Sequence, residues 1–111
     1  MKARVTLKKN SDFRRLYAKG KSAVTPYLVV YARPNKRGEN LLGYTVSTKL
    51  GHAVVRNRVR RRLREIYRLN APALKQDYDI VLVARARAVG CRYQKLDSAF
   101  LAACEKLGLT L

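Results

Sequence analysis

The sequence predicts an α+β fold, a two-layer sandwich in which one small mixed sheet of three to four strands carries packed helices. Some segments alternate apolar and polar residues, as half-buried strands do, and others space their apolar residues three and four apart, as amphipathic helices do. Their order along the chain is α-β-β-α-β-α. The length suits one modest core, so residues 1–111 are expected to form a single domain. A sheet covered by helices buries all of these apolar faces.

The first element is a short helix that starts near Asp12 and ends before Gly20. The basic residues 1–9 ahead of it are expected to form a loose arm. Phe13 and Tyr17 are four residues apart, so a helix places them on one face. From the sequence alone, the core is preferred over a binding surface for both residues.

Two β-rich segments follow the first helix. In residues 24–33 the alternation places Tyr31 on one face and Val30 on the other. Residues 40–48 form a second strand. Because the intervening residues 34–38 contain proline, asparagine and glycine, which favour a turn, we expect the two strands to pair as a hairpin.

A long basic helix is predicted over residues 53–70, ending before Pro72. At about 100° per residue, Val59, Leu63 and Ile66 form one apolar stripe beside Val55. The opposite arc is basic and carries Arg56, Asn57, Arg60, Arg61, Arg64 and Arg68. A strand over the same residues would leave no coherent apolar face, so the helix is preferred.

The last two elements are a strand over residues 78–84 and a helix over residues 93–107. The strand is apolar enough for the centre of a sheet. Asp77 and Asp79 lie at its start. They either flank the strand and pair with nearby arginines or bind Mg²⁺. The helix buries one stripe and closes at Gly108.

The formal net charge of +18 on 111 residues predicts a polyanionic partner. A solvated surface helix normally mixes charge signs, because like charges four residues apart repel. Arg56, Arg60, Arg64 and Arg68 follow one another at that spacing, and the one acid of the helix, Glu65, falls at the far edge of their arc, so a bound nucleic acid explains them better than solvation does. Arginine also suits bidentate contact with phosphate.

The side chains do not make a self-sufficient active site. The seven acids are scattered along the sequence, whereas a stand-alone nuclease needs clustered carboxylates for its metal ions. Cys91, Cys104 and the lone His52 lack zinc-site spacing, and reduced thiols are preferred over a disulfide. No secretory signal or membrane span is apparent, so we expect a cytoplasmic protein with no catalytic residue and no metal site.

Three stretches resemble the bacterial ribonuclease P protein component family. Residues 49–61 read Lys-Leu-Gly-His-Ala-Val-Val-Arg-Asn-Arg-Val-Arg-Arg and are similar to its signature, an Arg-Asn-Arg motif on a basic helix. Residues 11–13, Ser-Asp-Phe, resemble its first helix, and residues 78–81, Tyr-Asp-Ile-Val, resemble its late strand. The likeness covers nearly the whole chain in the same order.

The resemblance implies a left-handed crossover in which the basic helix joins two parallel strands, against the usual right-handed rule. It also implies a ribonucleoprotein endoribonuclease in which a catalytic RNA, with Mg²⁺, hydrolyses the phosphodiester bond and removes the 5′ leader of precursor tRNA. The protein, a monomer paired one-to-one with that RNA, binds the RNA and the leader and is expected to hold no cofactor itself.

The same resemblance assigns roles by position. Arg56, Asn57, Arg60 and Arg64 face the leader and RNA, whereas Arg58 and Arg61 contact the catalytic RNA. Lys49 and Arg68 complete the predicted RNA-binding set. The predicted leader-binding cleft consists of Phe13, Tyr17 and Tyr31.

The chain departs from the family pattern at a few positions. Arg62 falls in the apolar arc of the basic helix, where an aliphatic residue is usual, and its stem is expected to snorkel. Tyr17 stands where phenylalanine is frequent, and Arg92 where a helix-capping Ser or Thr is expected. Composition leaves two other functions open, a ribosomal protein and a duplex-DNA-binding regulator, and the scattered acids weigh against a third, an autonomous nuclease.

Overall fold

The computed structural model describes residues 10–111, and the side chains of residues 13–111. The predicted basic arm at residues 1–9 lies outside this range. The elements in chain order are α1 (Asn10–Lys19), β1 (Lys21–Val24), β2 (Leu28–Pro34), β3 (Leu41–Thr45), α2 (Ala53–Asn70), β4 (Tyr78–Ala84) and α3 (Tyr93–Lys106). The predicted α+β class is confirmed, with one strand more than the predicted element order.

The additional strand arises because the predicted strand over residues 24–33 is broken near its start. The backbone N–H of Thr25 donates to the carbonyl of Leu28 at 2.9 Å, which closes a tight turn. The Thr25 hydroxyl oxygen also accepts from the backbone N–H groups of Tyr27 and Leu28. Pro26, which has no N–H to give to a ladder, occupies this turn. The true hairpin therefore joins β1 and β2.

The predicted hairpin between residues 24–33 and 40–48 is wrong. The strand order is β1-β2-β4-β3, so β4 lies between the two segments. β4 pairs antiparallel with β2 and parallel with β3. The physical reason is burial: Ile80, Val81 and Leu82 are all fully buried, and a strand that is apolar on both faces belongs at the centre of a sheet.

The basic helix α2 is the crossover between the parallel strands β3 and β4. A tight turn can join only antiparallel strands. Two adjacent parallel strands need a longer crossover that returns the chain to the same end of the sheet, and this crossover is usually a helix. The predicted boundaries of residues 53–70 are confirmed. The left-handed sense of this crossover, which the family resemblance implies, stays a prediction.

The two faces of the sheet are buried differently. One face packs against α2 and α3 in the main core, whose largest side chains include Leu28, Val30, Leu63 and Phe100. Within the described residues, the other face is covered by α1 alone. Leu16, Leu41 and Val81 are buried there, with Phe13, Tyr31 and Val83 packed around them. The predicted alternation of Val30 and Tyr31 is confirmed.

The apolar stripe of α2 is confirmed, and the exceptional Arg62 has a defined contact. Val59, Leu63 and Ile66 are buried. Arg62 is half-buried, and its Nη1 donates to the backbone carbonyl of Cys91 at 2.8 Å. Its aliphatic stem thus runs along the core edge while the guanidinium ties α2 to the loop before α3.

A buried asparagine joins three elements at one end of the sheet. Asn40 Nδ2 donates to the carbonyl of Lys75 at 2.9 Å and to the Tyr67 hydroxyl at 3.2 Å. Its Oδ1 accepts from the backbone N–H of Tyr78 at 2.9 Å. Since a buried amide is costly unless it is hydrogen-bonded, this network fixes where β3 begins relative to α2 and β4.

The final helix follows the prediction closely. Leu96, Phe100 and Ala103 are buried, and Gly108 has a φ of 75°, the conformation that favours glycine after a helix. Arg92 occupies the N-cap without a side-chain hydrogen bond. Cys91 and Cys104 are free thiols, and burial raises the pKa of Cys104 to about 12, so that thiol stays protonated.

Candidate nucleic-acid interface

The outer side of α2 is a basic surface that we call the arginine face. Its exposed side chains are Asn57, Arg58, Arg61, Arg64 and Arg68, and Arg56 and Arg60 are half-buried at its edge. Lys49 is exposed in the turn that leads into the helix. All eight predicted RNA-binding residues therefore lie on α2 or in the turn before it.

Two side chains of the arginine face are held by local hydrogen bonds. Arg56 Nε donates to the carbonyl of Gly51 at 3.2 Å, and Arg60 Nη1 donates to Asn57 Oδ1 at 3.0 Å. Each guanidinium keeps further N–H groups for a ligand. Because these bonds already restrict the two side chains, less side-chain conformational entropy is lost when they bind a phosphate.

Arg68 differs from the other arginines because it has a carboxylate partner. Its Nε and Nη2 donate to the two oxygens of Glu65 at 3.2 and 2.7 Å. The hydrogen bond from Arg68 lowers the pKa of Glu65, so the acid is ionised at neutral pH. Glu65 is the only acid of α2, and it partly neutralises this end of the arginine face.

Arg64 lies over an aromatic ring that is not among the predicted site residues. Its guanidinium carbon is 5.8 Å from the ring centre of Tyr44 on β3, a cation–π arrangement. Burial raises the pKa of Tyr44, so the phenol stays neutral. Alternation along β3 places Tyr44 in the core, but only the fold shows which arginine it meets.

The three predicted cleft residues lie together between α1 and the sheet. The ring centres of Phe13 and Tyr17 are 6.4 Å apart, and those of Tyr17 and Tyr31 are 4.8 Å apart in a T-shaped pair. The Tyr17 and Thr45 hydroxyl oxygens are 3.4 Å apart. Tyr17 is 41% exposed, so its ring combines packing with an accessible surface.

A glycine on β3 makes room for this aromatic cluster. A Cβ added to Gly43 would lie 2.8 Å from the Phe13 ring and 3.2 Å from Val81. Real Cβ atoms essentially never approach a heavy atom that closely. The Phe13 ring therefore packs directly against the backbone of Gly43.

One row of residues beside the cluster extends the same face across all four strands. Val24 pairs with Val29, Val29 with Val83, and Val83 with Thr45. Val24 is 60% exposed, and the other three are half-buried. Among the described residues, α1 covers only the Thr45 and Val83 end of this row, so the row gives the cleft an apolar floor that continues toward Val24. The alternation was predictable from the sequence, whereas the exposure of Val24 follows from the fold.

The arginine face and the cleft meet around β3, which is an edge strand of the sheet. Consecutive residues of β3 point to opposite faces. Tyr44 accordingly contacts Arg64 of α2, and Thr45 contacts Tyr17 of α1. A ligand that passes around this edge can touch both surfaces.

The match to known proteins covers almost all of the chain. The ribonuclease P family model matches residues 1–108. The chain belongs to the ribonuclease P protein family. A ribonuclease P protein component of Alkaliphilus oremlandii is 45% identical over 98% of this chain and 96% of its own length. That of Natranaerobius thermophilus is also 45% identical, over 92% of this chain and 89% of its own.

Solved ribonuclease P proteins share the fold. The Staphylococcus aureus protein superposes with a TM-score of 0.86 at 32% identity, covering 96% of this chain and 97% of that one. The Thermotoga maritima protein gives 0.81 at 30% identity, with 89% and 94% covered. The chain is thus a subunit of ribonuclease P, the enzyme that cleaves precursor tRNA, and its partners are the ribonuclease P RNA and tRNA.

The two acids near the start of β4 accept hydrogen bonds. Asp79 Oδ1 accepts from Asn35 Nδ2 at 2.9 Å, and Asp77 Oδ1 accepts from the backbone N–H of Gly38. Among the residues that the structure describes, no three His, Cys, Asp or Glu side chains are grouped as metal ligands. Within that same part of the chain, no helix is long and apolar enough to cross a membrane.

Proposed function

We propose that the arginine face binds the catalytic RNA and that the cleft between α1 and the sheet binds the single-stranded 5′ leader of precursor tRNA. The observation that carries this proposal is the meeting of the two surfaces around β3. The leader of a precursor tRNA leaves the tRNA beside the catalytic RNA. A protein whose two binding surfaces adjoin can therefore hold the leader and the catalytic RNA at the same time.

The cleft suits unpaired bases better than a duplex. Tyr17 and Tyr31 present ring edges and faces, and the row from Val24 to Thr45 provides an apolar floor. Single-stranded RNA exposes its base faces for stacking, whereas a duplex keeps them inside. The Tyr17 and Thr45 hydroxyl groups offer a polar contact at the cleft wall.

The arginine face suits phosphate contacts. Arg58 and Arg61 are exposed and without carboxylate partners among residues 13–111, and we assign them to the catalytic RNA. Arg56, Asn57, Arg60 and Arg64 lie toward the leader side of the helix in this proposal. Lys49 and Arg68 complete the contact at its two ends. Planar guanidinium groups form bidentate bonds to phosphate oxygens.

Bond breaking in this proposal belongs to the RNA. Mg²⁺ enters with the RNA, and the protein supplies binding and orientation. Asp77 and Asp79 support this division, since their carboxylates already hold the 35–38 turn. The holoenzyme pairs one protein with one RNA in the cytoplasm, where its partner and substrate are transcribed.

The decisive experiment is precursor tRNA cleavage by a bacterial catalytic RNA at low Mg²⁺, with and without this protein. We expect the protein to stimulate cleavage and to bind precursor tRNA more tightly than mature tRNA. No stimulation would contradict the proposal. Cleavage by the protein without RNA would instead indicate an autonomous nuclease.

A further inference from the structure

A small cationic pocket lies at the end of the sheet away from the start of α2. Its volume is about 160 Å³, and its walls include Lys19, Lys21, Arg33, Pro34, Tyr78 and Leu107. We call it the β1-end pocket. None of these residues belongs to the arginine face or to the aromatic cleft.

The pocket lies where one end of each of four secondary-structure elements, α1, β1, β2 and β4, comes together. α1 ends at Lys19, and β1 begins two residues later at Lys21, opposite Ala32 of β2. β2 ends at Pro34, opposite Tyr78 at the start of β4. The close turn requires Gly20, because a Cβ there would lie 2.6 Å from the carbonyl oxygen of Leu16.

The pocket is well separated from the Thr45 end of the cleft, whereas Arg33 is only two residues from Tyr31 on β2 and Lys19 only two residues from Tyr17 on α1. β4 runs for seven residues from Tyr78, at the pocket, to Ala84, near the row that contains Thr45. At ~3.3 Å per residue, the two ends of this strand are about 20 Å apart. A ligand of the β1-end pocket therefore cannot be a base held at Thr45.

The three cations of the pocket have no carboxylate partner in the described part of the chain. Neither Lys19, Lys21 nor Arg33 forms a salt bridge with residues 13–111. Asp79 is opposite Arg33 in the β2–β4 ladder, but its Oδ1 accepts from Asn35 Nδ2 at 2.9 Å. Within the described residues, the pocket thus has three cations that no salt bridge holds and one nearby negative charge, Asp79 opposite Arg33, and the excess of positive charge favours a bound anion.

The size of the pocket limits the ligand. Sites for complete small molecules usually measure about 300–1,000 Å³. A pocket of about 160 Å³ suits one phosphate with part of its sugar. Tyr78 and Pro34 offer apolar walls for the ribose, and the lysines and Arg33 offer N–H donors for the phosphate oxygens.

We propose that the β1-end pocket binds a phosphodiester group of RNA, as a third contact beyond the arginine face and the cleft. This inference rests on the RNA binding of the proposed function. It adds a contact at the far end of the sheet, so the bound RNA spans more of the protein than α2 and the cleft alone provide.

The first test uses the free protein and inorganic phosphate, followed by amide NMR in a chloride buffer of constant ionic strength. We expect saturable shifts at residues 19–21, 32–34 and 78. Lys21→Gln and Arg33→Gln should each weaken this binding several-fold. Lys95→Gln is the matched control, since it removes one exposed lysine charge on α3 outside the pocket. Equal, unsaturable shifts in all variants would overturn the proposal.

The second test measures the affinity of the same variants for the catalytic RNA and for precursor tRNA across a range of salt concentrations. Losing one phosphate contact should reduce the slope of log affinity against log salt by about one. An unchanged slope in both pocket variants would overturn the RNA assignment, and phosphate shifts alone would then indicate a site for free phosphate. If the unaltered protein bound no RNA at all, the proposed function itself would fail.

Discussion

At the scale of single residues, substitutions at Tyr17 can distinguish the role of its ring from that of its hydroxyl. The ring packs edge-to-face on Tyr31, and the hydroxyl meets Thr45 at 3.4 Å, a long contact for two hydroxyl groups. We expect Tyr17→Phe to preserve leader binding and Tyr17→Ala to cost about 1–3 kcal/mol, the value of one stacked base.

The measurement for Tyr17 is the difference in affinity between precursor and mature tRNA in the assembled holoenzyme. Tyr31→Ala should reduce that difference in the same way. If the variants weakened both RNAs equally, Tyr17 and Tyr31 would be supporting the fold and not the leader.

Gly43 offers a second test at this scale, because it controls where Phe13 can lie. Gly43→Ala places a methyl group 2.8 Å from the Phe13 ring, and overpacking of this kind costs about 1–3 kcal/mol of unfolding free energy. Adding Phe13→Ala should remove the clash. The double variant, measured by urea unfolding, should therefore be more stable than the sum of the two single losses. Strict additivity would show that Gly43 and Phe13 do not compete for space.

At the scale of secondary-structure elements, α2 allows paired and unpaired arginines to be compared. Arg64 has no carboxylate partner in the described chain, whereas Arg68 is bound to Glu65 through two hydrogen bonds. Arg64→Ala should reduce the salt slope of RNA binding by about one. Arg68→Ala should reduce it less, because Glu65 already offsets part of the Arg68 charge in the unaltered protein.

The complementary change is Glu65→Gln, which releases Arg68 and removes the only acid of α2. We expect tighter RNA binding and a steeper salt dependence, measured by titration of labelled catalytic RNA. Helicity measured by circular dichroism controls for loss of the helix. Weaker binding by a fully helical variant would mean that the Glu65–Arg68 pair itself is the recognised group.

The elements also show what the sequence could predict. The boundaries of α2 followed from its apolar stripe and from Pro72, both local signals. Strand pairing is not local: residues 24–33 and 40–48 looked like a hairpin because a turn separates them, yet the more apolar β4 takes the position between them. The break at Thr25 depended on a hydroxyl that satisfies two backbone N–H groups, which composition does not reveal.

The candidate site shows the same division. Phe13, Tyr17 and Tyr31 were grouped through the family resemblance, and the fold does bring their rings together. Tyr44 and the β1-end pocket were not foreseen, because each depends on contacts between residues distant in sequence. Asn40 was missed for the same reason, since its partners lie more than 25 residues away.

At the scale of the whole molecule, the decisive quantity is a net charge of +18 on 111 residues. In the folded protein the arginine face and the β1-end pocket concentrate part of this charge, and their mutual repulsion opposes folding. An anion that binds the folded state and not the unfolded chain stabilises it by RT ln(1 + [L]/Kd), about 2.7 kcal/mol at a hundredfold excess over Kd. Sulfate and phosphate should therefore raise the Tm.

The sulfate effect is to be measured by thermal unfolding at constant ionic strength, with chloride as the reference anion, so that general screening is the same in both series. We expect the Tm to rise continuously with sulfate and the rise to shrink in Lys21→Gln and Arg60→Gln, which remove one charge from each cationic surface. Lys95→Gln should respond like the unaltered protein. Identical Tm values in sulfate and chloride would show that the charge excess is tolerated by the fold without site-bound anions, and the link between these surfaces and stability would be lost.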